Sequence, residues 1–166
     1  MKRILIIGSN GAGKSTFSFA LAEKLHIPVV HLDQLYWRGN WEMTPKEEFL
    51  QALAAEAQKD AWIIEGNNLR SMDLRLPYAD TVFWFEFPPP VCLKNILYRE
   101  WHYRGTHRPD LPEGCISRVD PEFLKYAWTF NRKNRQKIRE LLKQAPHVQV
   151  IRFTSRRQVK MYLKSL

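Results

Sequence analysis

The sequence predicts an α/β fold, a five-stranded parallel sheet flanked by helices on both faces. Three observations predict it. Short apolar runs alternate with stretches of helical periodicity along the whole chain. The first runs are continuous rather than alternating, as in strands buried on both faces. A glycine-rich turn joins the first run to the first helix. The 166 residues suit one domain, expected to span 1–166, and 45% hydrophobic with 26% charged residues is the composition of an ordinary globular chain.

Each element has its own signal. Ile4 to Ile7 is a short apolar run that stops at Gly8. Phe17, Ala20, Leu21, Lys24 and Leu25 then recur at three and four residues, a helix that Pro28 closes off. Pro28 to Leu32 reads as a second strand, followed by an aromatic and polar loop through Tyr36, Trp37 and Trp41. Thr44 is the expected cap of the next helix, with Pro45 at its first position and Glu47 three residues after the cap. That helix should run to about Lys59. Ala61 to Glu65 and Thr81 to Phe87 are β-branched and aromatic runs, each after an acidic turn residue, and read as strands three and four. After three prolines at 88–90, Leu93, Ile96 and Leu97 mark a helix towards Trp101. A loop rich in Arg, Gly and Pro covers about 104–120, and a long basic helix runs from Pro121 to about Gln144. Val148 to Phe153 supplies the fifth strand, and Ser155 with Gln158 caps a last helix carrying Val159, Tyr162 and Leu163.

No apolar run approaches the roughly 18 residues of a membrane span, and the first is too short for a signal-peptide core. The expectation is a cytoplasmic protein without a membrane partner, with Cys92 and Cys115 as reduced thiols. The five histidines show no metal-binding spacing. Charge is divided unevenly. Residues 1–98 hold ten basic and eleven acidic side chains, whereas residues 99–166 hold sixteen and six. A net +10 confined to the last 68 residues points to a polyanionic partner, either a nucleotide phosphate chain or a nucleic acid backbone.

Gly8-Ser9-Asn10-Gly11-Ala12-Gly13-Lys14-Ser15-Thr16 fits G-x-x-x-x-G-K-[ST] between a strand and a helix, the context that gives this motif its meaning. The glycines let successive N–H groups point inward at phosphate oxygens, and the helix adds its positive N-terminal end. Lys14 would reach the β- and γ-phosphates of ATP. The Ser15 hydroxyl would ligate Mg²⁺, a cation that prefers oxygen ligands and keeps several waters. This motif places the chain in the P-loop NTPase fold.

His31-Leu32-Asp33-Gln34-Leu35-Tyr36-Trp37, Trp62-Ile63-Ile64-Glu65-Gly66-Asn67 and Tyr103-Arg104-Gly105 through Arg108-Pro109-Asp110 extend the pattern. With them the chain resembles the P-loop kinases related to adenylate and shikimate kinases, and most closely the topology modulation proteins. The resemblance implies a nucleoside-monophosphate-kinase-like fold, with an acceptor-binding region near 33–75 and an Arg-bearing lid near 99–120. Asp33 would orient the acceptor, or hold Mg²⁺ through water. Glu65 is the alternative holder of that water. Glu65-Gly66 stands where adenylate kinases carry Asp-Gly, an aromatic residue, Pro and Arg. Here Asn67, Asn68, Leu69 and Arg70 come next, without the aromatic and the Pro, which argues against AMP as acceptor. Arg70 and Arg75 are placed for the acceptor, while Arg99, Arg104 and Arg108 would close over the ATP phosphates. Gly105 and Gly114 bracket that loop as hinges. Arg132 and Arg135, three apart on the long helix, would reach the transferred phosphoryl group. Tyr36, Trp37 and Trp41 line either the acceptor pocket or the core.

These readings converge on an ATP- and Mg²⁺-dependent kinase acting on a nucleotide or other small-molecule acceptor. Lys14, Asp33, Arg104, Arg108, Arg132 and Arg135 are its expected catalytic residues, and Asp33, Glu65, Gly66, Asn67 and Arg70 its expected acceptor contacts. The alternative is a nucleotide-dependent DNA-binding protein affecting DNA topology, with nucleic acid on the basic C-terminal third.

Overall fold

The computed structural model describes residues 1–104, 106, 108–115 and 119–166. Along the chain run β1 (Arg3–Gly8), α1 (Lys14–Leu25), β2 (Val29–His31), α2 (Leu32–Tyr36), β3 (Trp37–Arg38), β4 (Glu42–Met43), α3 (Lys46–Ala57) and β5 (Trp62–Glu65). After these come β6 (Thr81–Phe85), α4 (Pro89–His102), α5 (Pro121–Lys143), β7 (Gln149–Phe153) and α6 (Arg156–Ser165). Short 3-10 turns link β3 to β4 and occupy Leu69–Leu74 and Leu76–Tyr78.

The main sheet is parallel throughout, in the order β2-β5-β1-β6-β7. β1 sits at its centre because its residues have no polar side to present: Ile4, Leu5, Ile6 and Ile7 are all fully buried. The pleat sends Ile4 and Ile6 to one face, where they pack with Phe17 and Leu21 of α1, Phe153 of β7 and Tyr162 of α6. Leu5 and Ile7 go to the other face, against Phe49 and Leu53 of α3 and Phe130 and Ile138 of α5. Each fully buried Leu, Ile or Phe contributes about 1.5–3 kcal/mol, so these two clusters hold the sheet. Because every strand of this sheet is parallel, their C-terminal ends lie together, and there stand the phosphate-loop motif after β1, Asp33 in α2 after β2, Glu65 as the last residue of β5 and the residues after β6. Among the described residues no helix is long and apolar enough to cross a membrane.

The local expectations meet two corrections. The segment after β2 is a short helix followed by a two-stranded antiparallel ribbon, with Trp37 opposite Met43 and Arg38 opposite Glu42, rather than a plain loop. This ribbon takes the backbone of Thr44, whose N–H donates to the Tyr36 carbonyl at 2.9 Å. Thr44 therefore does not cap α3. Pro45 holds the cap position, with no side-chain cap bond. At α6 Ser155 caps as expected, its Oγ accepting from the Gln158 N–H, and Gln158 Oε1 accepts from the N–H of Thr154, the residue before the cap, at 2.7 Å. Asp120 likewise caps α5, accepting from the Phe123 N–H at 2.7 Å.

Candidate active site

The loop between β1 and α1 curls as the motif requires. Gly8, Gly11 and Gly13 all have positive φ, at 129°, 76° and 89°. At two of them there is also no room for a side chain. A Cβ on Gly8 would lie 2.0 Å from the Phe85 carbonyl oxygen, and one on Gly11 would lie 2.4 Å from that of Cys92. The Gly8 N–H donates to Asn67 Oδ1 at 2.8 Å, and Asn67 Nδ2 donates to Asn10 Oδ1 at 3.1 Å. Asn67 thus ties the loop to the end of β5. From the other side Asn95 of α4 donates to the Gly11 carbonyl at 2.7 Å and accepts from Arg156 at 2.6 Å. Asn131 of α5 accepts from Ser9 Oγ at 2.7 Å while donating to the Phe87 carbonyl. Three amide side chains, from the segment after β5, from α4 and from α5, fix the loop.

Lys14 and Ser15 open α1 and meet carboxylates. Lys14, buried, donates to the Ser9 carbonyl at 3.2 Å and lies 3.7 Å from Glu65 Oε1. Ser15 Oγ is 3.2 Å from Glu65 Oε2 and 3.0 Å from Asp110 Oδ2. Glu65 also accepts from His31 Nδ1 at 2.9 Å. That contact results from sheet register, since His31 and Glu65 are aligned partners at the ends of β2 and β5. Burial pushes the Glu65 carboxyl up, but the His31 hydrogen bond and the Lys14 charge outweigh it and hold Glu65 below the ordinary range. Asp110 behaves similarly. Burial raises it, and the paired guanidinium of Arg108, at 2.6 Å, with the Ser15 hydroxyl brings it below its usual value.

Asp33 faces the same cluster and shifts the opposite way. The protein crowded round it, and the like charges of Glu65 and Asp110 against Lys14 and Arg108, push it up to about 6. Its side chain is exposed to water, which weakens the burial and the like-charge contributions alike, so the upward direction is what the surrounding carboxylates support.

Residues 108–115 lie over this cluster and rest on the expected acceptor region. Gln34 donates to the Pro109 carbonyl at 2.9 Å, the Asn40 N–H donates to Gly114, and the Cys115 thiol reaches the Arg38 carbonyl at 3.1 Å. Gly105, the other expected hinge, lies outside the described residues.

The other expected residues are more dispersed. Arg108 is buried against Asp110, whereas Arg104 and Arg70 are exposed. Arg75 is fully buried. It donates to the carbonyls of Gly66 and Asn68 at 3.2 Å, and burial lowers its pKa to about 9. It therefore braces the loop after β5 instead of lining an open pocket. On α5, Arg135 pairs with Glu86 beside Arg152 of β7, and Arg132 lines a cavity on that side. From α5 the Asn131 side chain touches the phosphate loop at Ser9, while Arg135 is held by the buried Glu86. Tyr36 and Trp37 pack edge-on at 5.0 Å, and Tyr36 also packs on Phe49, so Tyr36 continues the core. His31, Asn95 and Asn131 carried no sequence signal as site residues; only the strand register brings His31 to Glu65.

No family model matches the chain, and no curated protein matches it. Among solved structures, a shikimate kinase from Bacteroides thetaiotaomicron aligns with 99% of this chain and 95% of its own at 18% identity and a TM-score of 0.57. A gluconokinase from Sinorhizobium meliloti 1021 aligns over 99% and 92% at 14% identity and 0.55. A sugar kinase from Janibacter sp. HTCC2649 aligns over 99% and 91% at 13% identity and 0.52. With a parallel 2-5-1-6-7 sheet, a glycine-rich loop leaving its central strand and these neighbours along nearly its whole length, the chain has the P-loop kinase fold.

Proposed function

We propose that this protein transfers the γ-phosphoryl group of Mg-ATP to a small-molecule acceptor. The observation that carries the reading is the meeting of Lys14 and Ser15 with Glu65 at the end of β5 and of Ser15 with Asp110 from the segment 108–115. Phosphoryl transfer needs positioning and charge neutralisation more than covalent chemistry from the protein. The loop N–H groups and Lys14 hold the phosphate chain, and Lys14 exchanges its Ser9 and Glu65 partners for phosphate oxygens. The donors around Ser15 are hard oxygens, a hydroxyl and two carboxylates, which fits magnesium with water in its shell. Ser15 would hold that ion, with Glu65 and Asp110 or Asp33 reaching its waters. When bound, it supplies charge neutralisation on the phosphate oxygens.

Asp33 orients the acceptor hydroxyl and accepts its proton, a task suited to a carboxyl raised to about 6. Arg108, fixed by Asp110, and Arg99 supply positive charge over the transferred group. Residues 108–115, resting on Gln34, Arg38 and Asn40, keep water from competing with the acceptor. Structural likeness to a shikimate kinase, a gluconokinase and a sugar kinase favours a hydroxyl acceptor over a nucleoside monophosphate, in line with the missing aromatic and proline after Gly66.

The test is ADP formation from Mg-ATP across a panel of hydroxylated metabolites and nucleoside monophosphates, with Lys14→Met as control. One acceptor raising turnover well above background, and Lys14→Met abolishing the rise, is the expected result. Turnover in Lys14→Met equal to wild type would remove the loop from the reaction.

A further inference from the structure

Helix α5 carries a stripe that the kinase reading does not use. At about 100° per residue, Lys125, Trp128, Arg132, Arg135, Arg139 and Lys143 fall within a sector of about 80°. All six are exposed. The sector runs about 27 Å along the helix and contains no carboxylate. The two acids of α5, Glu122 and Glu140, lie about 100° round from its centre. Midway, Asn131, Arg132, Arg135, Gln136 and Arg139 line an open cavity of about 390 Å³.

Two features set this face apart from an ordinary solvated one. First, the buried carboxylate of Glu86 holds Arg135 on one oxygen and Arg152 of β7 on the other, at 2.5 Å, so two guanidinium groups are fixed at the sheet edge. Held arginines lose less freedom on meeting a phosphate than free ones. Second, Trp128 stands in line with the cations and is 51% exposed. An indole costs free energy in water and contributes nothing to phosphate binding, whereas a nucleobase stacks on it.

We infer that this α5 stripe binds single-stranded nucleic acid, with Arg132, Arg135, Arg139, Lys143 and Arg152 tracking the phosphates and Trp128 stacking a base. A duplex keeps its bases paired and out of reach of Trp128, so it gains only the charge contribution. A membrane surface would ask for several apolar side chains along the stripe, and Trp128 is alone there.

The experiment is fluorescence anisotropy of a labelled oligothymidylate with the full chain, repeated across salt concentrations. Log affinity should fall linearly with log salt, at about −0.7 per phosphate neutralised on a single strand, giving a slope of about −3 for four or five contacts. Arg139→Glu with Lys143→Glu should lower affinity more than tenfold and flatten the slope by about 1.4. Trp128→Ala should weaken binding about tenfold at unchanged slope, and leave binding of inorganic polyphosphate as it was. A matched duplex should bind at least tenfold more weakly. All three side chains are exposed, so the melting temperature should stay at the wild-type value; should the double Glu variant melt early, Arg139→Gln with Lys143→Gln takes its place. Wild-type affinity untouched by these variants, equal affinity for the duplex, or binding of anionic vesicles that matches that of the oligonucleotide would overturn the inference.

Discussion

Glu65→Gln isolates the charge at the centre of the proposed site. Gln at 65 keeps an oxygen to accept from His31 Nδ1 and Ser15 Oγ, the contacts now at 2.9 and 3.2 Å, and replaces the negatively charged oxygen facing Lys14 at 3.7 Å with a neutral NH2 group. At an effective dielectric of about 20 that pair attracts by about 4.5 kcal/mol before desolvation is counted. Removing one partner of a buried pair costs about 3–5 kcal/mol, and Lys14 retains its hydrogen bond to Ser9, so a loss near 3 kcal/mol is expected. For a chain of this size that is a fall in melting temperature of about 6–12 °C. Urea denaturation of the ligand-free protein at neutral pH measures it. The pH dependence carries a second signature. Because Glu65 is held below its ordinary range when folded, its contribution is present above the unfolded value and is lost as pH falls through the folded one. The gap between wild type and Glu65→Gln should therefore close in acid. A loss under about 0.5 kcal/mol, within the range of an ordinary surface substitution, or a gap that does not change with pH, would refute the claim that Glu65 anchors Lys14.

Three further outcomes rest on the same geometry. Asp33, raised to about 6, holds a proton when folded that the unfolded chain releases near 3.8, so the contribution of Asp33 to stability should fall as pH rises between these values, against the opposite trend from Glu65 and Asp110. Asp33→Asn should abolish that fall in a series of thermal melts, and an unchanged slope would show that the carboxylate cluster does not hold the proton. Gly11→Ala forces a Cβ to 2.4 Å from the Cys92 carbonyl oxygen at a φ of 76°, and should cost about 1–3 kcal/mol and weaken Mg-ATP binding by calorimetry. Asp110→Asn weakens the hold on Arg108, and should lower kcat while leaving KM for ATP close to wild type; a change confined to KM would make Asp110 a ground-state contact.

The sheet was legible because its signals are local. Ile4 to Ile7 reads as a buried parallel strand, and a glycine-rich loop between that run and a helix with apolar residues three and four apart marks the first strand-turn-helix unit. The helix and ribbon at 32–43 were not legible, since a five-residue helix and two-residue strands carry no period, and the ribbon took Thr44 away from its expected cap. The site divides on the same line. Lys14 and Ser15 are adjacent in a motif, and Glu65 ends a strand. His31 reaches Glu65 through strand register, Asp110 reaches Ser15 across 95 residues, and Asn131 reaches Ser9 across 122. Composition and spacing hold no record of such contacts. The position of Arg135 rests on a contact of the same kind, with Glu86, which follows β6 and is distant in sequence.

The most direct test of the central claim is where the terminal phosphoryl group goes. In a single turnover with γ-labelled ATP, magnesium and the acceptor that most stimulates ADP release, the label should appear on the acceptor, with little as inorganic phosphate, and neither product should form with Lys14→Met. Label released only as inorganic phosphate, whatever acceptor is present, would contradict a kinase and leave an ATPase on the same fold.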